Sequence, residues 1–458
     1  MPLPAKGVIN RFREKTNQAM PTAIASEHIG HFIELYEKAK ALSSPAPKLA
    51  ALQDKAAAHL EEMRFPTRRD EDWKYTSVRQ IVSQNWALGK ATTLSPEHIE
   101  NAAIKDLDDI RFVFVNGQFV PALSTPASQW PQGLTIKSLA DALEGEDSEW
   151  LSAKLEAHAM HDNPFVVMNT AFGQNGWYME VQKGAVIEKP VHLMMFSTGE
   201  EAFVQFPQLW VHAQTGSEFS VMEHYLPKEG NTPHFTCAVS CLRLEANAHV
   251  HHYRLQRESD TAFQINFCEV EQERDSVYSS YATDLGGAIV RNNQNVLLEQ
   301  SNTETHLNGI YLINGEQHVD NQTFMDHAVP HCNSNELYKG IVTGKARGVF
   351  NGKVLVRPDA QKTNAFQQNS TLLLSPDAIM DAKPQLEIFA DDVKCSHGAT
   401  IGQLDESAVF YLRSRGLPLR EARTLLQFAF LGEVISNMPH EPVRNFVEKL
   451  VHDKLYNH

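Results

Sequence analysis

Cys395–Ser396–His397 is the triplet in this chain with the most to offer chemically. In extended backbone, residues two apart point to the same side, about 6.6 Å apart along the strand. A thiolate and an imidazole so placed can both reach one soft centre: iron, zinc or the edge of a cluster. Two protein ligands do not complete a site. The remainder must come from a neighbouring part of the fold or from a second chain.

Other sulfur and imidazole groups are less pointed. His327, His331 and Cys332 lie in MDHAVPHCNSNE, read as a loop. Loop backbone can let them converge on an ion; the alternative is loop hydrogen bonding with Cys332 as a packed thiol. His249, His251 and His252 form HVHH, where alternation puts His249 and His251 on one strand face and His252 on the other. The first two can share a metal, or be the polar face of an exposed strand. Cys237 and Cys241 share a face of CAVSC but sit about 13 Å apart, too far to chelate one ion or to form a disulfide. They read as buried thiols, as does Cys268 in INFCEVE.

Several chemistries are missing. Gly340–Ile–Val–Thr–Gly344–Lys345 has too few residues between its glycines for a phosphate loop, and Ala346 stands where Ser or Thr is needed. There is no HExxH, no GxSxG and no GxGxxG opening a helix, and no Cys-x2-Cys pair. A polysaccharide-cleaving enzyme would need clustered carboxylates, and only Asp320 and Asp326 suggest a pair. Asn321–Gln–Thr323 and Asn369–Ser–Thr371 match the glycosylation pattern by chance.

Composition narrows the class further. The chain has 458 residues, 42% hydrophobic and 21% charged, with a net charge of −15. That balance argues against nucleic-acid binding and against anionic membrane surfaces, both of which need Lys/Arg excess. The longest apolar run, Leu425–Ile435, contains Gly432 and Glu433 and is too short to span a bilayer. Residues 1–20 lack the apolar core of a signal peptide and read as an unprocessed cytoplasmic start. Five cysteines are too few, and odd in number, for a disulfide framework.

These groups need elements to hold them. Residues 22–105 read as helices, broken at Ser44–Pro45–Ala46–Pro47, with Ser95–Pro96 opening a third. From about 110 to 400 the pattern is short strands separated by turns, starting with a hairpin around Asn116–Gly117. PFVVMNTAF (164–172) counts among these strands, and no long helical pattern interrupts for more than two hundred residues. Sandwich, barrel, propeller and β-helix all remain possible. The length of the β stretch, the Asn-rich turns and a weak 31-residue recurrence (Lys183–Gly184, Thr215–Gly216, Ala246–Asn247) favour a β-helix. From about 405 the chain is helical again. Its last helix carries Val443, Phe446, Val447, Leu450, Val451 and Leu455 as one apolar stripe. That stripe can pack on the β region or dock a partner.

Two blocks identify the chain further. FPTRRDEDWKYTSVRQI (65–81) and the run from GKVLVRPDAQKTNAFQQNSTLLLSPDA into PQLEIFADDVKCSHGATIGQLDESAVFYLRSRGLP (352–418) resemble the SufB/SufD family of iron–sulfur cluster assembly proteins, the first block favouring its SufD half. THLNGIYLINGEQHVDNQTFMDHAVPHCNSNELYKG (305–340) fits as well. The resemblance implies a mainly β fold, a right-handed parallel β-helix (109–402, with its hairpin near 111–121) between helical regions at 1–108 and 403–458. It implies a non-catalytic scaffold that pairs with SufB, or with itself as a homodimer. A cysteine desulfurase and its sulfur-transfer protein would supply sulfur. Cys395 and His397 would lie at the subunit interface, holding a transient iron–sulfur cluster or iron, with His397 the stronger candidate. The C-terminal region would bind the ATPase SufC, with Arg415, Leu417, Pro418, Leu425 and Phe428 as contacts.

Overall fold

A computed structural model describes residues 23–42, 45–90, 92–145, 148–173, 176–227 and 232–457. The reading of residues 1–20 as an unprocessed start, and Ser44 of the proposed break, lie outside these.

The β region is a parallel solenoid. Successive strands alternate between two sheets, so each strand pairs with the strand two along the chain. Gln208–Ala213, His234–Leu244, Ala262–Gln272, Ile289–Leu298, His318–His327 and Arg347–Val356 follow one another in one sheet. Glu218–Pro227, His249–Gln256, Val277–Asp284, Glu304–Ile313, Asn333–Val342, Asn364–Leu373 and Lys394–Gly402 do so in the other. Parallel neighbours need a long crossover. Here the crossover is the strand of the opposite sheet. The two inner faces pack Val211, Leu242, Val270, Val296, Tyr278 and Tyr311 into one continuous core.

The turns carry the repeat. One corner of each coil places a residue at positive φ: Gly184, Gly216, Asn247, Asp275, Asn302, His331 and Lys362. The corners stack by backbone hydrogen bonds, as from Gly184 N to Thr215 O and from His331 N to Gln361 O. Gly, Asn and Asp adopt this left-handed conformation at the least steric cost, which is why the turns are rich in them. The weak 31-residue recurrence is this column of corners.

The hairpin forms as expected. Ile110–Val115 pairs antiparallel with Gln118–Phe119, and both turn residues, Asn116 (φ 52°) and Gly117 (φ 77°), take the positive φ of a two-residue turn. The strand assignment of 164–172 is wrong: Pro164–Phe172 is a helix, capped by Asn163 Oδ1 accepting from Phe165 N at 3.0 Å. All nine of its residues are buried, so no polar face marked its period. Leu139–Leu143 and Ser148–Ala159 are helices too, so the helices fall in the early part of the β region, and among the described residues from Trp177 to Gly402 there is none. They pack with Pro47–Glu61 against the outside of the first sheet.

The 65–81 block is clamped to that same outer face. The Arg291 guanidinium lies 3.8 Å from the centre of the Trp73 ring, and Thr76 Oγ1 is 2.8 Å from His318 Nε2. At the other end of the chain, Glu441–Asn457 lays Val443, Val447 and Val451 onto Tyr253, Leu255, Ile310, Leu312 and Ile341 of the second sheet. Each such fully buried valine contributes roughly 1.5–3 kcal/mol. The stripe of the last helix is therefore spent inside this chain.

Candidate functional site

Lys394–Gly402 is the last strand of its sheet and is paired on one side only, to Asn364–Leu373. Its other edge presents unpaired backbone N–H and C=O groups, a ready template for another strand. Cys395 is the one of its nine residues that is partly buried rather than exposed. Cys395 and His397 share a face, as their spacing requires. Cys395 lies beside Ala365, which is wholly buried, and packs against the solenoid interior. The pair thus sits on the inner face of the solenoid's last coil, with Cys395 partly buried and His397 exposed. Partial burial pushes the Cys395 thiol up from its ordinary value.

Beneath His397 the interior is polar. Its register neighbour is Gln367, and the neighbour of Gln367 is Glu336. Gln367 Nε2 donates to Glu336 Oε2 at 3.3 Å, and Thr323 Oγ1 donates to the same oxygen at 2.6 Å. Glu336 Oε1 and Gln367 Oε1 have no hydrogen-bond partner although both are buried. Burial pushes the Glu336 carboxyl up to about 7, against the pull of the two donors. A protonatable acid and an unfilled amide acceptor therefore underlie the thiol and imidazole. Sequence inspection missed both, because only the stacking register brings 336 and 367 under 397.

The remaining candidates are not drawn together. His331 is a left-handed corner residue (φ 64°), exposed at the turn. Cys332 is fully buried in the core. His327 is buried with Nε2 2.9 Å from Ser334 Oγ, and burial pushes its pKa down to about 3. His249 and His251 lie on the outer face and His252 on the inner, as alternation predicts. His251 is 3.4 Å from Tyr281 OH and is held down at about 4 by burial and by His440, His249 and His306. His252 bridges Glu223 Oε1 (2.8 Å) and Tyr278 OH (2.9 Å) beside a small cavity that Cys268 also lines. Among the described residues, one group of three His, Cys, Asp or Glu ligands comes close enough to hold an ion, and it is His158, Cys241 and Glu269 rather than any of these.

On the C-terminal helices, Arg415 is exposed and stacks 5.3 Å from the Tyr411 ring centre. Pro418 and Leu425 are exposed, Leu417 is half-buried, and Phe428 is half-buried against the helix–sheet core. Phe410, Tyr411, Leu419 and Leu425 expose a large share of their apolar surface along Glu406–Ser414 and Leu419–Ile435. The free apolar face is therefore here and not on the last helix.

The molecule is thus a parallel β-solenoid whose last strand is paired on one side only, with Cys395 and His397 on that strand. Residues 195–430 match the SUF system FeS cluster assembly SufBD core domain, and residues 26–193 match the SufBD protein N-terminal region. The chain belongs to the SufB/SufD family of iron–sulfur cluster assembly proteins. It is 32% identical to the iron–sulfur cluster assembly protein SufD of Escherichia coli, over 86% of this chain and 90% of that protein. It is 33% identical to an iron–sulfur cluster assembly SufBD family protein of Synechocystis, over 84% of this chain and 86% of that one. It is 30% identical to the chloroplastic protein ABCI7 of Arabidopsis thaliana, over 90% of this chain and 87% of that one. No described helix is long and apolar enough to cross a membrane.

Proposed function

We propose that this chain is one half of a cytoplasmic cluster-assembly scaffold. It pairs along the Lys394–Gly402 edge with SufB, or with a second copy of itself when alone. Cys395 and His397 contribute two ligands to a nascent iron–sulfur cluster whose other ligands come from across the interface. The observation that carries this is the placement of both side chains on a strand with one unpaired edge. Of the two, His397 is the principal ligand, since the raised Cys395 thiol is the harder to ionise.

The exposed face around Arg415, Leu417, Pro418, Leu425 and Phe428 receives the ATPase SufC. This chain hydrolyses nothing itself, and sulfur reaches the complex from a cysteine desulfurase through its sulfur-transfer protein. A second reading, in which the chain only braces SufB, draws support from that same thiol burial.

Separate Cys395→Ser and His397→Ala variants decide between them. Each is assembled with SufB and SufC and loaded anaerobically with iron and sulfide while visible absorption is followed. Loss of the cluster chromophore in the His397 variant, with the complex intact, is expected. Full cluster formation in both variants would leave only the bracing role.

A further inference from the structure

We propose that His158, Cys241 and Glu269 form a buried site for a divalent cation of the zinc class, between the helix Ser148–Ala159 and the outer face of the solenoid. The site lies well within the stack of coils, apart from the Cys395–His397 edge.

Cys241 and Glu269 are register partners on adjacent parallel strands, so their side chains leave the sheet side by side. Cys241 is enclosed by Leu151, Leu155, Tyr178 and Trp210. His158 descends from the helix, with Nε2 2.9 Å from Glu269 Oε2. One ligand atom from each of the three lies within 4.8 Å of the others, and all three residues are buried. A tetrahedral ion with bonds of about 2.0–2.3 Å sets its donors about 3.3–3.8 Å apart. The three need to draw in by about 1.5 Å at most. Thiolate, imidazole and carboxylate together are a zinc donor set, with a fourth position left open.

The charges around the trio fit the same ion. Lys154 Nζ is 3.5 Å from Glu269 Oε2 and 2.5 Å from Glu271 Oε1, and Trp150 Nε1 donates to Glu271 Oε2 at 2.9 Å. Counting only the groups in direct contact, and with Cys241 as thiolate, the three anions Cys241, Glu269 and Glu271 against Lys154 leave a net charge of minus two. A divalent ion brings this buried group to neutrality, which low-dielectric surroundings strongly favour. His158 Nδ1 has no hydrogen-bond partner despite its burial. A bare ion-pair cluster leaves the enclosed thiol without a task. A metal would tie the N-terminal helical region to the solenoid through a sulfur, a nitrogen and an oxygen from three separate elements.

The test uses the full chain carrying Cys395→Ser and His397→Ala, so that no metal at the edge is counted and failure here says nothing about the edge. The protein is stripped of metal and titrated with cobalt(II), then with zinc(II). One cobalt per chain is expected, with a thiolate-to-cobalt charge-transfer band that zinc abolishes. Adding Cys241→Ser should remove the band. Because Cys241 is tightly packed, Glu269→Gln and His158→Gln are titrated as well, and each should weaken cobalt binding at least tenfold while the thermal shift on adding zinc disappears. Absence of the charge-transfer band, or its survival in Cys241→Ser, overturns the site, as does an unchanged zinc-induced shift in both other variants.

Discussion

The two ends of the solenoid are finished differently. At the end nearer the N-terminus both sheets stop in short antiparallel strands, Gln118–Phe119 on one and Leu134–Ser138 on the other. The interior there is plugged by Phe112, Phe114, Phe119, Trp130 and Trp177, with Phe119 and Trp177 ring centres 4.5 Å apart. At the far end the last parallel strand is bare, and Ile388, Phe389 and Ile401 are exposed around it. A sheet edge left open is an aggregation hazard that folds normally suppress. One end suppresses it and the other does not; under the proposed function the open end is the one that meets a partner, and that is where the thiol and imidazole sit.

The contrast breaks most sharply under paired substitutions. Phe112→Ala removes a plug ring and should lower stability by about 3–5 kcal/mol, read as a drop in denaturant midpoint, without altering self-association or binding to SufB. Ile401→Lys should do the reverse: stability within about 0.5 kcal/mol of wild type, but association weakened at least about tenfold in sedimentation velocity. If Ile401→Lys associates normally, the open end is not the interface. If Phe112→Ala is as stable as wild type, the sealed end is not sealed by its aromatic plug.

Glu336 sharpens the comparison one layer down. Its folded pKa of about 7 lies above the ordinary 4.5, so between those values the folded chain holds a proton that the unfolded chain releases. The contribution to stability is therefore highest below about pH 4 and falls as pH rises toward 7. Glu336→Gln should remove that fall and gain about 2–3 kcal/mol over wild type at pH 8 relative to pH 5. Denaturant midpoints at the two pH values check this, and parallel profiles for both proteins would refute it. No equivalent effect is expected from the plug, which has no titrating side chain among its five rings.

What could be read before folding follows from range. Cys395 with His397, the split of HVHH across two faces and the Asn116–Gly117 turn are all local, and strand alternation or turn geometry decides them. The resemblance placed the solenoid between helical regions, and the structure agrees. Pro164–Phe172 was misread because a helix buried on all sides shows no polar stripe. His331 takes a φ of 64° as one of the stacked corner residues, a backbone role that its place in MDHAVPHCNSNE does not announce. His158, Cys241 and Glu269 come from a helix and two strands, and Glu336 reaches His397 only through two register steps, so no spacing rule exposes either set.

The corners allow the finest comparison of the two ends. Gly184 near the sealed end and Lys362 near the open end hold the same left-handed conformation, φ 69° and 61°. A Cβ at Gly184 would meet no atom within 4 Å, so any penalty for adding a side chain there is conformational rather than steric crowding by neighbours. Gly184→Lys should therefore cost about 1 kcal/mol, and Lys362→Gly should gain up to a similar amount. The gain will fall short of the loss by the little that the exposed Lys362–Asp392 ion pair contributes and by the added freedom of glycine in the unfolded chain. Opposite shifts in denaturant midpoint would show that both ends are wound on one corner geometry and differ only in how their edges are closed. Shifts of the same sign would mean that the corners at the two ends are not equivalent, and that the open end departs from the repeat before its last strand.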